Sequence, residues 1–231
     1  MQPELQPRGT YPVAGEIGLQ QQRVLRNTYL LLALTMVPTV IGAMIGMQTG
    51  GIIMQHPIIS TFVMLGAVIG LQFAIAANRD SGLGVALLLA MTFILGWWLG
   101  PLLSVALSLR NGAQLVGYAA VGTGAIFFIM AGIATTTKRD YSFMGKFLFI
   151  GMLVLLIAMI ANMFLQIPAL ALTISSLVIV VFSLFLLHDV SRIVNGGETN
   201  YVMATTGVYM SLFNIFANLL HLLMALAGER D

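Results

Sequence analysis

Residues 188–221, HDVSRIVNGGETNYVMATTGVYMSLFNIFANLLH, decide how the chain is read. The stretch joins a carboxylate at the end of a long apolar run, Asp189, to a glycine-marked turn and then to a helix-length segment that is apolar except along one line. Gly207, Ser211, Asn214, Asn218 and His221 recur at intervals of four, three, four and three, which places them on one narrow stripe of an α-helix. An amide left unpaired in hydrocarbon costs several kcal/mol, so this stripe has to face protein or water. The last helix is therefore expected inside a helical bundle, with the rest of the chain as its scaffold. Whether the stripe lines a pathway or only makes interhelical hydrogen bonds is left open by the spacing, and the second is the commoner arrangement.

The composition places that scaffold in a membrane. Of 231 residues 59% are hydrophobic and 8% charged, with a mean hydropathy of +0.98, whereas soluble domains carry about a quarter charged residues. With no cysteine, disulfides, thiolate chemistry and thiolate metal sites are excluded. The net charge of +2 is small and dispersed, which gives nucleic acid nothing to bind.

Working outward, residues 1–22 are polar, carry three prolines and lack a periodic apolar face, so they are expected to be a flexible tail. They do not resemble a signal peptide, since no short apolar core with a small-residue cleavage site follows a basic start. Seven apolar stretches follow, at about 27–47, 58–77, 83–107, 114–134, 147–165, 169–187 and 201–227, each near the ~20 residues that cross a bilayer as a helix. Their continuous rather than alternating hydrophobicity predicts helices and not barrel strands. The fold class is thus all-α, a polytopic membrane protein built as a bundle of seven transmembrane helices over residues 23–231. Gln166, Ile167 and Pro168 alone separate the fifth span from the sixth, which predicts a tight hairpin. Pro101 lies in the third span and is expected to kink or end it.

Alternate loops differ in basic charge. Arg8, Arg23, Arg26, Arg79, Lys138, Arg139, Lys146 and Arg192 fall on one side; Arg110 and Arg230 fall on the other. Lysine and arginine accumulate on the cytoplasmic side, so the N-terminus is expected in the cytoplasm and, after seven crossings, the C-terminal Gly228–Asp231 outside. Small residues four apart, Gly42 and Gly46, Gly66, Gly70 and Ala74, and Gly96 and Gly100, let helix backbones approach closely and are expected to pack the monomer.

Motifs for catalysis are missing: there is no H-E-x-x-H, no G-x-S-x-G and no Walker loop. His56, His188 and His221 are not at metal-ligand spacing, and the only lysines, Lys138 and Lys146, sit at a loop, which rules out a retinal Schiff base inside the bundle. The protein is expected to be no enzyme and to need no cofactor. Asp189 stands out because an ionisable group at the mouth of a membrane span needs a partner, a proton or water. Two readings compete for it: a functional carboxylate, or a solvated interfacial one paired with Arg192 three residues on. His188 is expected on another helix face, and Glu198 exposed in the turn. Asn195 or Gly196 should end the sixth span, and Thr199 or Asn200 should cap the seventh.

VLRNTYLLLALT (24–35), TTTKRDYSFMG (135–145), ANMFLQIPAL (161–170), NGGETNY (195–201) and VYMSLFNIF (208–216) together resemble the Bax inhibitor family of membrane proteins, in its bacterial YccA-like branch of modulators of the FtsH protease. The resemblance runs from about Val24 to the C-terminus. It implies a bundle whose central seventh helix is surrounded by the other six, residence in the bacterial inner membrane with the C-terminus in the periplasm, and a protein that binds FtsH and its accessory membrane proteins and restrains proteolysis, with the cytoplasmic tail as the protease's handle. At about 3.3 Å per residue an extended 22-residue tail reaches well beyond the bilayer.

Other bacterial relatives of that family are pH-sensitive calcium leak channels gated by two aspartates on the last two helices, with a basic residue of the second helix locking the closed state. Carried over, Asp189 matches the first aspartate, Ser211 falls at the second, and the lock falls near Asn78 or Arg79. Serine cannot share a proton with Asp189 or raise its pKa by like-charge repulsion, so the two-carboxylate sensor is incomplete. Asp189 alone is a poor calcium site, because calcium takes several oxygen ligands. The alternative to FtsH modulation is therefore a proton-sensitive calcium or cation leak using Asp189, with Arg79 or Arg192 as its ion partner and Ser211, Asn214, Asn218 and His221 along the path.

Overall fold

The computed structural model describes residues 14–137 and 139–228. Among them there is no strand: the chain runs α1 (Ala14–Thr49), α2 (Gly51–Gln55), α3 (Pro57–Ala77), α4 (Gly82–Ser108), α5 (Gly112–Thr137), a 3₁₀ turn (Ser142–Met144), α6 (Gly145–Leu165), α7 (Pro168–Val194) and α8 (Tyr201–Gly228). All but the one-turn α2 are long and apolar enough to cross a membrane, which makes the seven spans expected from the sequence. Lys138, residues 1–13 and the end of the chain from Glu229 lie outside the described residues.

α8 is the central helix. It packs against α1, α3, α4, α5 and α7, while α6 lies outside and is held chiefly by α7. Val202, Val208, Tyr209, Ile215 and Leu220 of α8 are essentially without solvent exposure. A tyrosine at that depth needs a partner for its hydroxyl. Tyr209 finds Thr39 Oγ1 of α1 at 2.8 Å and donates to the Thr92 carbonyl of α4 at 3.4 Å, so one side chain ties three spans together.

α1 and α4 form the closest pair of helices. A Cβ on Gly42 would run into the Phe93 carbonyl, one on Gly46 into the Trp97 carbonyl, and one on Gly96 into the Thr39 carbonyl. This is the interdigitation that glycines four apart permit, and here it packs the monomer as expected. Gly66 and Gly70 of α3 carry the same spacing, yet nothing lies within 4 Å of a Cβ built on either, so on that helix the expectation is not met.

One boundary differs from the expectation, and two helix ends can now be read in detail. α1 begins at Ala14, so residues 14–22, read from sequence as part of a flexible tail, are helical. Once a long span has nucleated a helix, each further residue adds a hydrogen bond without a new nucleus, and AGEIGLQQQ contains no proline to stop it. At 36 residues α1 is about 54 Å long, well beyond the ~30 Å of hydrocarbon. Pro101 does not end α4, which continues to Ser108. The carbonyl that Pro101 leaves without a helical donor is that of Trp97, the one seated against Gly46. α7 continues past residue 187 to Val194 and so contains His188, Asp189 and Arg192.

The expected hairpin is present. Gln166 adopts a left-handed conformation (φ 54°), its amide donates to the Asn162 carbonyl at 2.8 Å, and Pro168 opens α7, where its missing N–H costs nothing. The loops then sort the bundle into two ends. The face carrying Arg79, Arg139 and Arg192 is called the basic face below, and the face carrying the 109–111 loop and the end of α8 the opposite face.

Candidate functional site at the corner between α7 and α8

α7 ends in a glycine-dependent stop. Gly196 takes φ +77°, its amide donates to Ile193 O at 3.3 Å, and the Gly197 amide donates to Arg192 O at 2.8 Å. Those two bonds are the Schellman pattern, which satisfies carbonyls the helix would otherwise leave open. Four residues on, the Asn200 side-chain oxygen accepts from the amides of Val202 at 3.0 Å and Met203 at 3.1 Å and caps α8. Stop and start are both written in NGGETN, and together they hold α7 and α8 antiparallel.

Asp189 sits just inside that corner. Its Oδ1 is 3.0 Å from His188 Nδ1, and its Oδ2 faces α8 at Gly207, where a Cβ would lie only 2.7 Å away. Glycine at 207 is thus what lets the carboxylate lie against α8. His188 and Asp189 have side chains 10% and 18% exposed, so the pair is largely removed from solvent. The other side of the His188 ring covers Gly145 at the start of α6, where a Cβ would come within 2.8 Å of Nε2. The pair therefore links α6, α7 and α8.

Beside Asp189 lies a small cavity of about 170 Å³ lined by Gln72 of α3, Arg192, Glu198, and Met203, Ala204, Thr206 and Gly207 of α8. Arg192 does not pair with Asp189. Its Nη2 reaches Glu198 Oε2 and the Gly197 carbonyl, each at 3.3 Å, and Glu198 Oε1 accepts from the Asn200 amide at 3.0 Å. Glu198 is consequently half-buried and structural rather than exposed. Arg79 is outside the cavity: it lies in the α3–α4 loop, 3.7 Å from its neighbour Asp80, with both side chains exposed. The expected ion partners of Asp189, Arg79 and Arg192, are both replaced by His188. From α3 it is Gln72, two turns before Arg79, that reaches the cavity.

The polar stripe of α8 faces its neighbours as expected of a buried helix, and its two asparagines are satisfied within the helix. Asn214 and Asn218 each donate to the carbonyl four residues earlier, Met210 at 2.8 Å and Asn214 at 2.9 Å. His221 Nδ1 meets Ser175 Oγ of α7 at 3.0 Å, and Ser211 is buried one turn beyond Gly207. Fourteen residues separate Asp189 from Ser175 and Gly207 from His221, so both polar contacts fall in one antiparallel register. Among the described residues no three histidine or carboxylate side chains gather as a cation cage.

Three further segments converge on the corner. Ser191 Oγ donates to the Arg139 carbonyl at 3.0 Å and accepts from the Tyr141 amide at 3.1 Å; Asn195 also donates to Arg139 O, at 3.2 Å. Asn200 Nδ2 donates to Asp80 Oδ1 at 2.8 Å and to Arg79 O at 3.0 Å. From α1, Gln21 reaches Gly196, where a Cβ would lie 2.8 Å from its Nε2. In the 139–144 loop, hydrogen bonds from Ser142 hold the Asp140 carboxyl below the ordinary carboxylate range, with a smaller contribution from His188. His188, Gln72, Thr206 and Glu198 were not identified as site residues from sequence; NGGETN, which folds Glu198 inward, was the one available signal.

A seven-span helical bundle around a buried, polar last helix, with Asp189 and Glu198 beside one cavity at its corner, defines a class of membrane proteins. The chain belongs to the Bax inhibitor family: the family model described as inhibitor of apoptosis-promoting Bax1 matches residues 21–228. Among its relatives is the modulator of FtsH protease YccA of Escherichia coli, 40% identical over 205 residues that cover 89% of this chain and 91% of that protein. An uncharacterized protein of Neisseria meningitidis is 37% identical over 214 residues, covering 91% and 94%, and one of Pseudomonas aeruginosa is 38% identical over 208 residues, covering 90% and 91%.

Proposed function

We propose that this protein resides in a bacterial inner membrane, binds the FtsH protease together with its accessory membrane proteins, and restrains the degradation of membrane proteins. The observation that carries the reading is the 40% identity, across nearly the whole of both chains, to a protein named a modulator of FtsH protease. The basic face is cytoplasmic in this reading, on the lysine and arginine count, and the C-terminus is periplasmic. In this reading residues 1–13, which precede α1 on the basic face, are where the protease takes hold. Deleting residues 2–13 leaves α1 intact and should lengthen the protein's half-life several-fold in cells containing FtsH, with no change in cells lacking it. Co-purification of FtsH with the full chain from native membranes is the companion measurement. Failure of both, with the chain correctly inserted, overturns the reading.

A second reading, a proton-sensitive calcium or cation leak, is supported by one observation, the cavity beside Asp189. Ser211 in place of a second carboxylate, and the involvement of Arg192 with Glu198, weigh against it. If it holds, Asp189→Asn changes calcium flux into proteoliposomes across the physiological interval of roughly pH 6 to 8. Flux no greater than that of empty vesicles throughout that interval rejects it.

A further inference from the structure

A second cavity lies at the other end of the molecule. About 610 Å³ in volume, it opens on the opposite face between the first turns of α5 and the last turns of α8. Its rim is polar, formed by Arg110, Asn111 and Gln114; its inner wall is apolar, formed by Leu115, which is buried, and by Leu223. It is bounded on the outside by Tyr118 and Leu226, 62% and 58% exposed on the surface the bundle turns toward lipid. The volume is in the range of about 300–1,000 Å³ typical of sites for small ligands.

From this chemistry we infer that the cavity binds one anionic phospholipid, phosphodiester on the rim and acyl chain along the wall. Among the described residues Arg110 is the one lysine or arginine on the opposite face, where membrane proteins carry few. A guanidinium presents a fork of N–H donors that matches two phosphate oxygens at once, and the carboxamides of Asn111 and Gln114 add donors on the same rim. Leu115, Leu223, Leu226 and Ala227 line the same cavity as that rim, and Leu226 is exposed at its outer edge, which suits a headgroup that carries a chain and gives a free phosphate no advantage. Tyr118 has the amphipathic ring that collects at the headgroup level, which sets the depth of the rim. Nothing in the FtsH reading requires this site.

The test uses the full chain in nanodiscs containing equal phosphatidylglycerol and phosphatidylcholine, followed by transfer to detergent and native mass spectrometry of the lipids retained. Wild type should keep phosphatidylglycerol in preference to phosphatidylcholine at about one per chain. Loss of a charge-assisted phosphate contact in Arg110→Gln should lower that retention about tenfold, and Arg110→Lys should restore part of it. Leu223→Trp, which fills the cavity and keeps the guanidinium, should abolish retention, with the thermal midpoint of each variant confirming that it is folded. Equal retention of the two lipids by wild type, or unchanged retention in both Arg110→Gln and Leu223→Trp, overturns the inference. So does displacement of the lipid by soluble glycerol phosphate, which would make the free phosphoester the ligand.

Discussion

Gly96→Ala lowers the thermal midpoint of the purified protein by several degrees, while Gly66→Ala leaves it unchanged or raises it. The two glycines sit in the same small-residue pattern and differ only in what their missing Cβ would meet. At Gly96 the added methyl would strike the Thr39 carbonyl oxygen, with the carbonyl carbon and Cα of the same residue 2.8 and 2.9 Å away. None of those atoms can rotate aside, so α1 has to shift as a body. Overpacking of this kind costs about 1–3 kcal/mol, and a backbone obstacle places the cost at the upper end. Alanine's better helix propensity returns about 1 kcal/mol, leaving a net loss of about 2 kcal/mol and, for a chain of this size, a fall of about 4–8 °C. The shift also pulls on Thr39, whose hydroxyl meets Tyr209 in the central helix, so the damage extends to α8. At Gly66 nothing lies within 4 Å and only the propensity gain applies. Scanning fluorimetry on Trp97 and Trp98, which adjoin Gly96, reads both variants. Equal midpoints for the two would show that the α1–α4 contact is looser than drawn.

That pair of glycines also shows what a sequence can convey. Apolar run length and the four-three-four-three stripe depend on helix geometry alone, and they were enough to anticipate seven spans with a buried last one. Small-residue spacing is a property of one helix: it says that a groove exists, and whether a neighbour fills it depends on the bundle, which is why Gly42, Gly46, Gly96 and Gly100 pack while Gly66 and Gly70 do not. The polar residues 14–22 had no apolar face to announce a helix, and the continuity of α1 decided their structure. Asp189 was conspicuous from sequence because a carboxylate is rare at the end of a span. Its partner was not, because neighbours in a helix do not normally face each other, and Arg192 at i+3 was the standard expectation. The turn NGGETN changed that by folding Glu198 back onto Arg192, leaving Asp189 to His188.

The reassignment is measurable as a coupling energy. A double-mutant cycle of His188→Leu with Asp189→Leu should give an interaction of about 1.5 kcal/mol, because a hydrogen bond to a largely buried carboxylate is worth about 1.5–3 kcal/mol and the carboxylate's 18% exposure weakens it. The same cycle built on Arg192→Gln and Asp189→Leu should be additive within about 0.5 kcal/mol, since Arg192 spends its contacts on Glu198 and Gly197. Of the single changes, His188→Leu should be the most costly, at about 2 kcal/mol: it strips the donor from a carboxylate whose other oxygen already lies against the Gly207 backbone. Asp189→Asn keeps an oxygen that can accept from Nδ1 and should lose less than about 1 kcal/mol. Coupling to Arg192 as large as coupling to His188 would restore the i+3 ion pair and with it a solvated, interfacial Asp189. Coupling confined to His188 instead makes the corner a three-helix joint, α6 through Gly145, α7 through the pair and α8 through Gly207. A change in the charge of that joint then bears directly on how the central helix is held.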